Sequence, residues 1–152
     1  MKKIALAAIV LLLSTPQVLA QDKMHMEPYV GTAEFEKLKL LVGSWEGTHK
    51  MGEEEHPAVA TYETTSNGSA LVETLFPGTP QEMVSVYYDK NGKLTMTHYC
   101  GLGNRPEMEL VSSEEGQYTF KLSKDSLIDV HNEDHMHGLI LTFVDENSIK
   151  HN

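Results

Sequence analysis

From residue 44 onward, apolar and polar side chains alternate with a period of two, and this pattern limits the fold more than any other feature. Such alternation gives a β-strand one buried and one solvated face. Asn67-Gly68 and Asn91-Gly92 indicate tight hairpin turns, because both residue types tolerate a positive φ. The pattern predicts about nine strands, at Ser44–Met51, Ala58–Thr65, Ala70–Phe76, Glu82–Tyr88, Lys93–Cys100, Glu107–Val111, Gln117–Leu122, Leu139–Val144 and Ser148–His151.

One short helix precedes these strands. Thr32 is a suitable N-cap, and Phe35, Leu38 and Leu41 follow at helical spacing before Gly43 ends the segment. A leading helix and consecutive hairpins predict a mostly β fold. We favour an antiparallel up-and-down β-barrel over a sandwich, because a meander of many twisted strands buries its edges by closing. An eight-stranded barrel has room inside for side chains or one small ligand.

Composition narrows the function. The chain has 152 residues, which suits one domain, and a formal net charge of −10. A nucleic-acid-binding protein needs a basic face, so the acidic balance argues against that class. The single cysteine excludes an internal disulfide and any site built from several cysteines.

The first twenty residues are typical of a secretory signal peptide. Lys2 and Lys3 precede an apolar run over residues 4–13, and Val18-Leu19-Ala20 offers a cleavage site. The alternative is a membrane anchor, but the run is about half the length needed to span a bilayer. We therefore predict an exported protein, periplasmic or secreted, without stable membrane insertion after cleavage.

The predicted organisation is a signal peptide over residues 1–20, a flexible arm over 21–31 and a barrel domain over 32–152. Two interpretations of Ile149–Asn152 are open: a short terminal edge strand, or a chain that stops inside the barrel. The pattern predicts no particular oligomeric state.

The sequence Gly43-Ser44-Trp45 opens the first strand directly after the helical segment. This arrangement resembles the lipocalins and the wider calycin group, in which the tryptophan plugs the closed end of the barrel and packs on the preceding helix. Residues 66–73, 96–100 and 103–106 are similar to secreted bacterial calycin-like proteins of unknown function. The resemblance implies a small-molecule-binding barrel with Gly43 and Trp45 in structural roles, and it specifies no ligand. The single cysteine and the early end depart from the usual lipocalin pattern.

Candidate ligand contacts lie on the fifth strand. Met96, His98 and Cys100 share the face marked as inward by its apolar members. Tyr62 and Tyr88 are further candidates on other strands. The predicted function is binding of an apolar or amphipathic small molecule, without catalysis and without a cofactor.

Arg105 is the only arginine in the chain and lies in a loop at one end of the predicted barrel. Its planar guanidinium suits an acidic ligand at the mouth. The competing interpretation is a surface salt bridge to Glu107 or Glu109.

The first alternative function is an enzyme in a calycin-like shell, with His98 acting together with Glu73, Tyr99 or Cys100. Such chemistry needs two titrating groups that converge on a pocket.

The second alternative is a metal or haem protein. His131, His135 and His137 crowd into one loop, where imidazoles could hold zinc or copper. The competing interpretation is a solvated polar loop rich in histidine. His151 is the candidate haem ligand, because some calycin-like barrels hold haem through one histidine near the last strands.

Overall fold

Nine strands follow one another in hairpin succession through the computed structural model, which describes residues 26–152. Each strand pairs antiparallel with the next, in the order of the chain. The predicted mostly β, up-and-down, barrel-like fold with one short N-terminal helix is confirmed. The strands are β1 (Gly43–Met51), β2 (Glu54–Thr65), β3 (Ala70–Leu75), β4 (Met83–Lys90), β5 (Lys93–Tyr99), β6 (Glu107–Ser112), β7 (Gln117–Leu122), β8 (Gly138–Asp145) and β9 (Ser148–His151).

The sheet curls into a half-barrel. Irregular register in β6, between Leu110 and Ser112, and in β8, between Phe143 and Asp145, increases the local twist. The curl brings His151 of β9 to Tyr62 of β2, with their side-chain atoms 3.1 Å apart. Between residues 26 and 152 no ladder joins β1 to β9, so the sheet does not close through backbone hydrogen bonds.

Helix α1 (Ala33–Leu38) and a 3-10 turn (Lys39–Leu41) lie at one end of the half-barrel. The Thr32 side chain caps α1 by accepting the Phe35 N–H, as the sequence predicts. Phe35, Leu38 and Leu41 are fully or almost fully buried. These three side chains therefore close that end of the apolar core.

Asp89 of β4 anchors the start of α1. Its carboxylate accepts the Thr32 N–H at 2.7 Å and the Thr32 hydroxyl at 2.8 Å. Gly31 packs so closely here that a Cβ would lie 2.4 Å from the Asp89 carboxylate and 2.6 Å from the Phe35 ring. The start of α1 is therefore fixed by the Asp89 carboxylate and by the close packing that glycine permits at position 31.

Part of the predicted flexible arm contacts the sheet. The Tyr29 N–H donates to the Asn67 carbonyl at 2.9 Å, and the Asn67 amide donates to the Glu27 carbonyl at 2.7 Å. Asn67 has a positive φ within a four-residue loop, not the two-residue hairpin that Asn67-Gly68 suggested. In this loop conformation the backbone carbonyl and the side-chain amide of Asn67 both face the arm. The predicted signal peptide lies outside the described residues.

Trp45 is partly buried against the core, and its indole N–H donates to the Leu41 carbonyl at 2.7 Å. It therefore packs on the preceding helical segment, while the side chains of Phe35, Leu38 and Leu41 close the end of the core. Gly43 has a φ of +138°, a value that favours glycine at the start of β1. In the part of the chain that the structure describes, no helix has the length and apolar character needed to cross a bilayer.

Candidate functional site

A row of polar side chains crosses the concave face of four neighbouring strands. Tyr62 pairs in register with Glu73, Glu73 with Ser85, and Ser85 with His98. Directly opposed residues point to the same face of an antiparallel sheet, so the four side chains form one line. All four are buried, with at most 4% of their surface exposed. Apolar side chains border the row, including Leu71 and Met96.

The Glu73 carboxylate is the centre of this row. The Tyr62 hydroxyl donates to its Oε1 at 2.5 Å, and the Tyr87 hydroxyl donates to its Oε2 at 3.1 Å. Tyr87 lies two residues after Ser85 on β4 and is completely buried. Burying a carboxylate is costly unless donors satisfy its oxygens, and the two phenols provide them.

The same contacts hold both tyrosines in their neutral form. Burial raises the pKa of Tyr62 above its ordinary value, and the negative charge of Glu73 raises it further. Burial and then Glu73 likewise raise the pKa of Tyr87. Both phenols therefore remain protonated, and able to donate to Glu73, at neutral pH.

His151 of β9 extends the network towards solvent. Its Nε2 lies 3.1 Å from the Tyr62 hydroxyl and 3.7 Å from Oε1 of Glu73. Since the single hydroxyl hydrogen of Tyr62 is directed at Glu73, Nε2 must donate to the Tyr62 oxygen. The His151 side chain is 28% exposed, against 2% for that of Glu73. It is therefore the member of the network that an incoming molecule reaches first.

His98 lies at the other end of the row. Its Nδ1 is 3.0 Å from the Ser85 hydroxyl. Burial lowers the pKa of His98, and the charge of Glu73 opposes that shift. The neutral imidazole is therefore favoured. The Glu73 carboxylate accepts its hydrogen bonds from the two tyrosines, and His98 contacts Ser85 instead, so the pair proposed for acid–base catalysis is not in hydrogen-bond contact.

Of the other predicted ligand contacts, Met96 lies beside the row and is fully buried. Cys100 follows the end of β5 and is partly buried, and its N–H donates to the Asn104 carbonyl at 3.0 Å. The structure thus brings Met96, His98 and Tyr62 together on the concave face, where the alternation predicted Met96 and His98.

Tyr88 and Tyr99 are not part of this group. Tyr88 alternates with the inward-facing Tyr87, and its hydroxyl meets Thr97 and Glu107 on the convex face. Tyr99 is adjacent to the inward-facing His98 and is 49% exposed. Neither side chain reaches the interior, because a shift of one residue along a strand reverses the face.

Arg105 is exposed in the loop between β5 and β6. The surface salt bridge weighed for it is not formed with the two expected acids. Glu107 is paired with Lys90 at 2.7 Å, and Glu109 is paired with Lys93 at 2.6 Å. The Arg105 guanidinium is therefore not engaged by either neighbour.

The three histidines of the long loop are not assembled as one set. Within residues 26–152, no three His, Cys, Asp or Glu side chains gather closely enough to hold a metal. The His135 and His137 rings lie 4.3 Å apart between centroids. His131 is exposed, and its backbone N–H donates to the Asp129 carboxylate at 3.1 Å. His151, the candidate haem ligand, is committed to Tyr62 through Nε2.

Two clefts lie away from the polar row. One, of about 230 Å³, is lined by Thr32, Leu94 and Leu110 at the helical end. The other, of about 310 Å³, lies over the convex face beside the ion pairs of Lys90 and Lys93. In the convex cleft Lys90 and Lys93 are already paired with Glu107 and Glu109. We take the concave row as the candidate site because it joins buried titratable side chains from four strands.

Sequence reasoning missed Ser85 and Tyr87 and gave Glu73 only a catalytic role. The available signal was a carboxylate inside an apolar stripe, since Leu71, Glu73 and Leu75 alternate on β3. A charge at such a position requires partners inside the sheet. No protein-family model matches the chain, and no curated protein or solved structure proved similar to it.

Proposed function

We propose that this protein is an exported, non-catalytic binding protein that takes an amphipathic small molecule against the concave face of its half-barrel. The observation that carries the proposal is the buried polar row from Tyr62 to His98, which lies among apolar side chains such as Leu71 and Met96. The Gly43-Ser44-Trp45 resemblance to lipocalins supports the same class of protein. Export rests on the signal-peptide pattern of residues 1–20.

The polar row occupies buried positions that apolar side chains could fill. Well-packed apolar side chains are often as stabilising as a buried charge network, or more so. Ligand sites, by contrast, combine an apolar lining with a few fixed polar groups. Met96 and Leu71 supply such a lining beside Glu73 and His98. The row therefore suits the polar group of a ligand whose apolar part lies on the neighbouring side chains.

The hydrogen-bond pattern favours binding over catalysis. Both oxygens of Glu73 accept tyrosine hydroxyls, and Nδ1 of His98 contacts Ser85. General acid–base catalysis needs two titrating groups aimed at the same reacting atoms. Here the groups are aimed at one another, which fixes their orientation before a ligand arrives.

Native mass spectrometry of the protein purified from its own source tests the proposal. We expect a small-molecule adduct that denaturation releases. His98→Leu removes a polar member of the row and should reduce the adduct at least tenfold. Thr97→Val, on the opposite face of β5, is the matched control and should retain the adduct.

A second measurement uses the intrinsic fluorescence of Trp45, the only tryptophan. Long-chain alcohols, amines and carboxylates should shift its emission at saturating concentration. Wild-type protein that carries no adduct and binds none of these probes would contradict the proposal. Equal binding by folded His98→Leu protein would remove the row from the site.

A further inference from the structure

His135 lies in the long loop between β7 and β8 and is buried, with 8% of its surface exposed. Its Nδ1 is 2.6 Å from the Glu133 carbonyl oxygen. A carbonyl only accepts, so Nδ1 must carry the hydrogen, and Nε2 of the neutral ring then presents a lone pair. This buried Nε2 has no hydrogen-bond partner within residues 26–152.

Asn104, in the loop between β5 and β6, holds a second buried acceptor without a partner. Its Nδ2 donates to the Asp134 carbonyl at 2.8 Å, which places the side chain beside the residue that precedes His135. Its Oδ1 is buried and has no partner among the described residues. A buried unsatisfied acceptor costs about 1–3 kcal/mol, so two of them at neighbouring positions indicate an occupant that supplies positive charge or donors.

The adjacent histidine favours a metal ion as that occupant. The His137 ring lies 4.3 Å from that of His135 between centroids, in contact with it, although the side chain is exposed. Metal-ligating histidines commonly donate their other ring N–H to a carbonyl, which fixes the tautomer. The bond from His135 to Glu133 is of this kind.

We infer that His135 Nε2, the His137 imidazole and the Asn104 amide oxygen bind one divalent transition-metal ion, with Zn²⁺ and Cu²⁺ the best matched to imidazole ligands. The site differs from a set of three histidines because His131 is exposed and is not gathered with the other two rings among the described residues. Two imidazoles and an amide oxygen leave at least one position to solvent, so the site is labile rather than a closed structural centre.

Competition for Zn²⁺ against a chromogenic chelator tests the inference on the full chain. The wild-type protein should bind one equivalent of Zn²⁺. His135→Ala should weaken binding at least tenfold, and Asn104→Ala should weaken it severalfold. His131→Ala replaces an exposed histidine of the same loop and should leave the affinity unchanged.

A measurement on wild-type protein does not depend on the folding of any variant. Zn²⁺ should shift the ¹⁵N resonance of His135 Nε2 and leave that of His131 in place. Absence of one-equivalent binding would overturn the site and leave buried water as the partner of the two acceptors. Unchanged binding by His135→Ala, or an equal loss in His131→Ala, would also overturn it.

Discussion

Inside the half-barrel, single hydrogen bonds decide which side chains are tolerated. Glu73 is almost completely buried, and its carboxylate depends on the hydroxyls of Tyr62 and Tyr87. Removing one donor leaves a charged oxygen buried without its partner, whereas removing a donor at the surface lets water replace it. The loss of stability caused by a substitution therefore depends on whether the partner of the removed group stays buried or becomes hydrated.

Tyr62→Phe should lower the free energy of unfolding by about 1–3 kcal/mol, because Oε1 of Glu73 loses its donor while remaining buried. Urea denaturation followed by circular dichroism measures the change. Tyr88→Phe is the matched control, since its hydroxyl contacts Thr97 and Glu107 on the convex face. A loss in the control equal to that in Tyr62→Phe would contradict the argument.

Gly31→Ala should destabilise the fold by about 1–3 kcal/mol, because the new methyl group would overlap the Asp89 carboxylate and the Phe35 ring. Gly47→Ala is the control, as a Cβ there meets nothing within 4 Å. Thermal unfolding of both variants checks the prediction. A melting temperature for Gly31→Ala at or above that of Gly47→Ala would count against the close packing.

Residue-level prediction from sequence succeeded where alternation sufficed and failed where cross-strand pairing decided. The inward positions of Met96 and His98 follow from period two on β5. The contact between Tyr62 and His151 joins residues 89 positions apart, and it depends on the curl of the whole sheet. A sequence pattern that spans only one or two strands cannot predict a contact between residues so far apart in the chain.

Among the elements, α1 has too few residues to be stable alone. Helices shorter than about 12 residues are marginal in water, and α1 has 6. Its stability comes from burial of Phe35 and Leu38 and from the cap at Thr32, which Asp89 of β4 fixes in place. The helix is thus held by the sheet that it covers.

Asp89→Ala should loosen α1 without unfolding the sheet. The variant loses acceptors for the Thr32 N–H and hydroxyl and for the Tyr29 hydroxyl. We expect faster hydrogen exchange at Phe35–Leu41 amides by at least tenfold, with β4 and β5 amides little changed. Asp125→Ala, an exposed acid near Lys90, should leave the helix amides protected; equal exchange in both variants would disprove the anchoring role.

The elements themselves could largely be predicted from the sequence. All nine predicted strands are present, although β2 begins at Glu54 and not at Ala58. Asn91-Gly92 forms the two-residue turn between Lys90 and Lys93. Asn67-Gly68 failed as a tight turn because Ser66 also adopts a positive φ, which widens the loop. Turn residues therefore predict the position of a hairpin, whereas the contacts around the turn determine the length of its loop.

For the whole molecule, the interior polar network makes stability depend on pH. Burial lowers the pKa of His98 below its ordinary value of 6.5. As pH falls below about 6.5, the imidazole of His98 takes up a proton more readily in the unfolded chain than in the folded one, which lowers the free energy of unfolding. At the alkaline extreme the sign of the pH dependence is the reverse, because the raised pKa values of Tyr62 and Tyr87 favour ionisation of the unfolded chain above about pH 10.

The free energy of unfolding should therefore fall between about pH 6.5 and 5, by about 1.4 kcal/mol for each unit by which the pKa of His98 is lowered. His98→Gln should flatten this part of the profile, as measured by urea denaturation at several pH values. His131→Gln changes an exposed histidine and should keep the wild-type slope. A slope unaltered by His98→Gln would assign the effect to other groups.

The hydrogen bond between Tyr62 and His151 also has a consequence for how the protein is made. Strand β2 emerges from the ribosome long before β9. The hydrogen bond between Tyr62 and His151 can therefore form only after the last hairpin has been synthesised. Contacts so distant in sequence form late and slow folding. Until translation has delivered β9, the Tyr62 oxygen lacks the His151 donor, and water must occupy that end of the network.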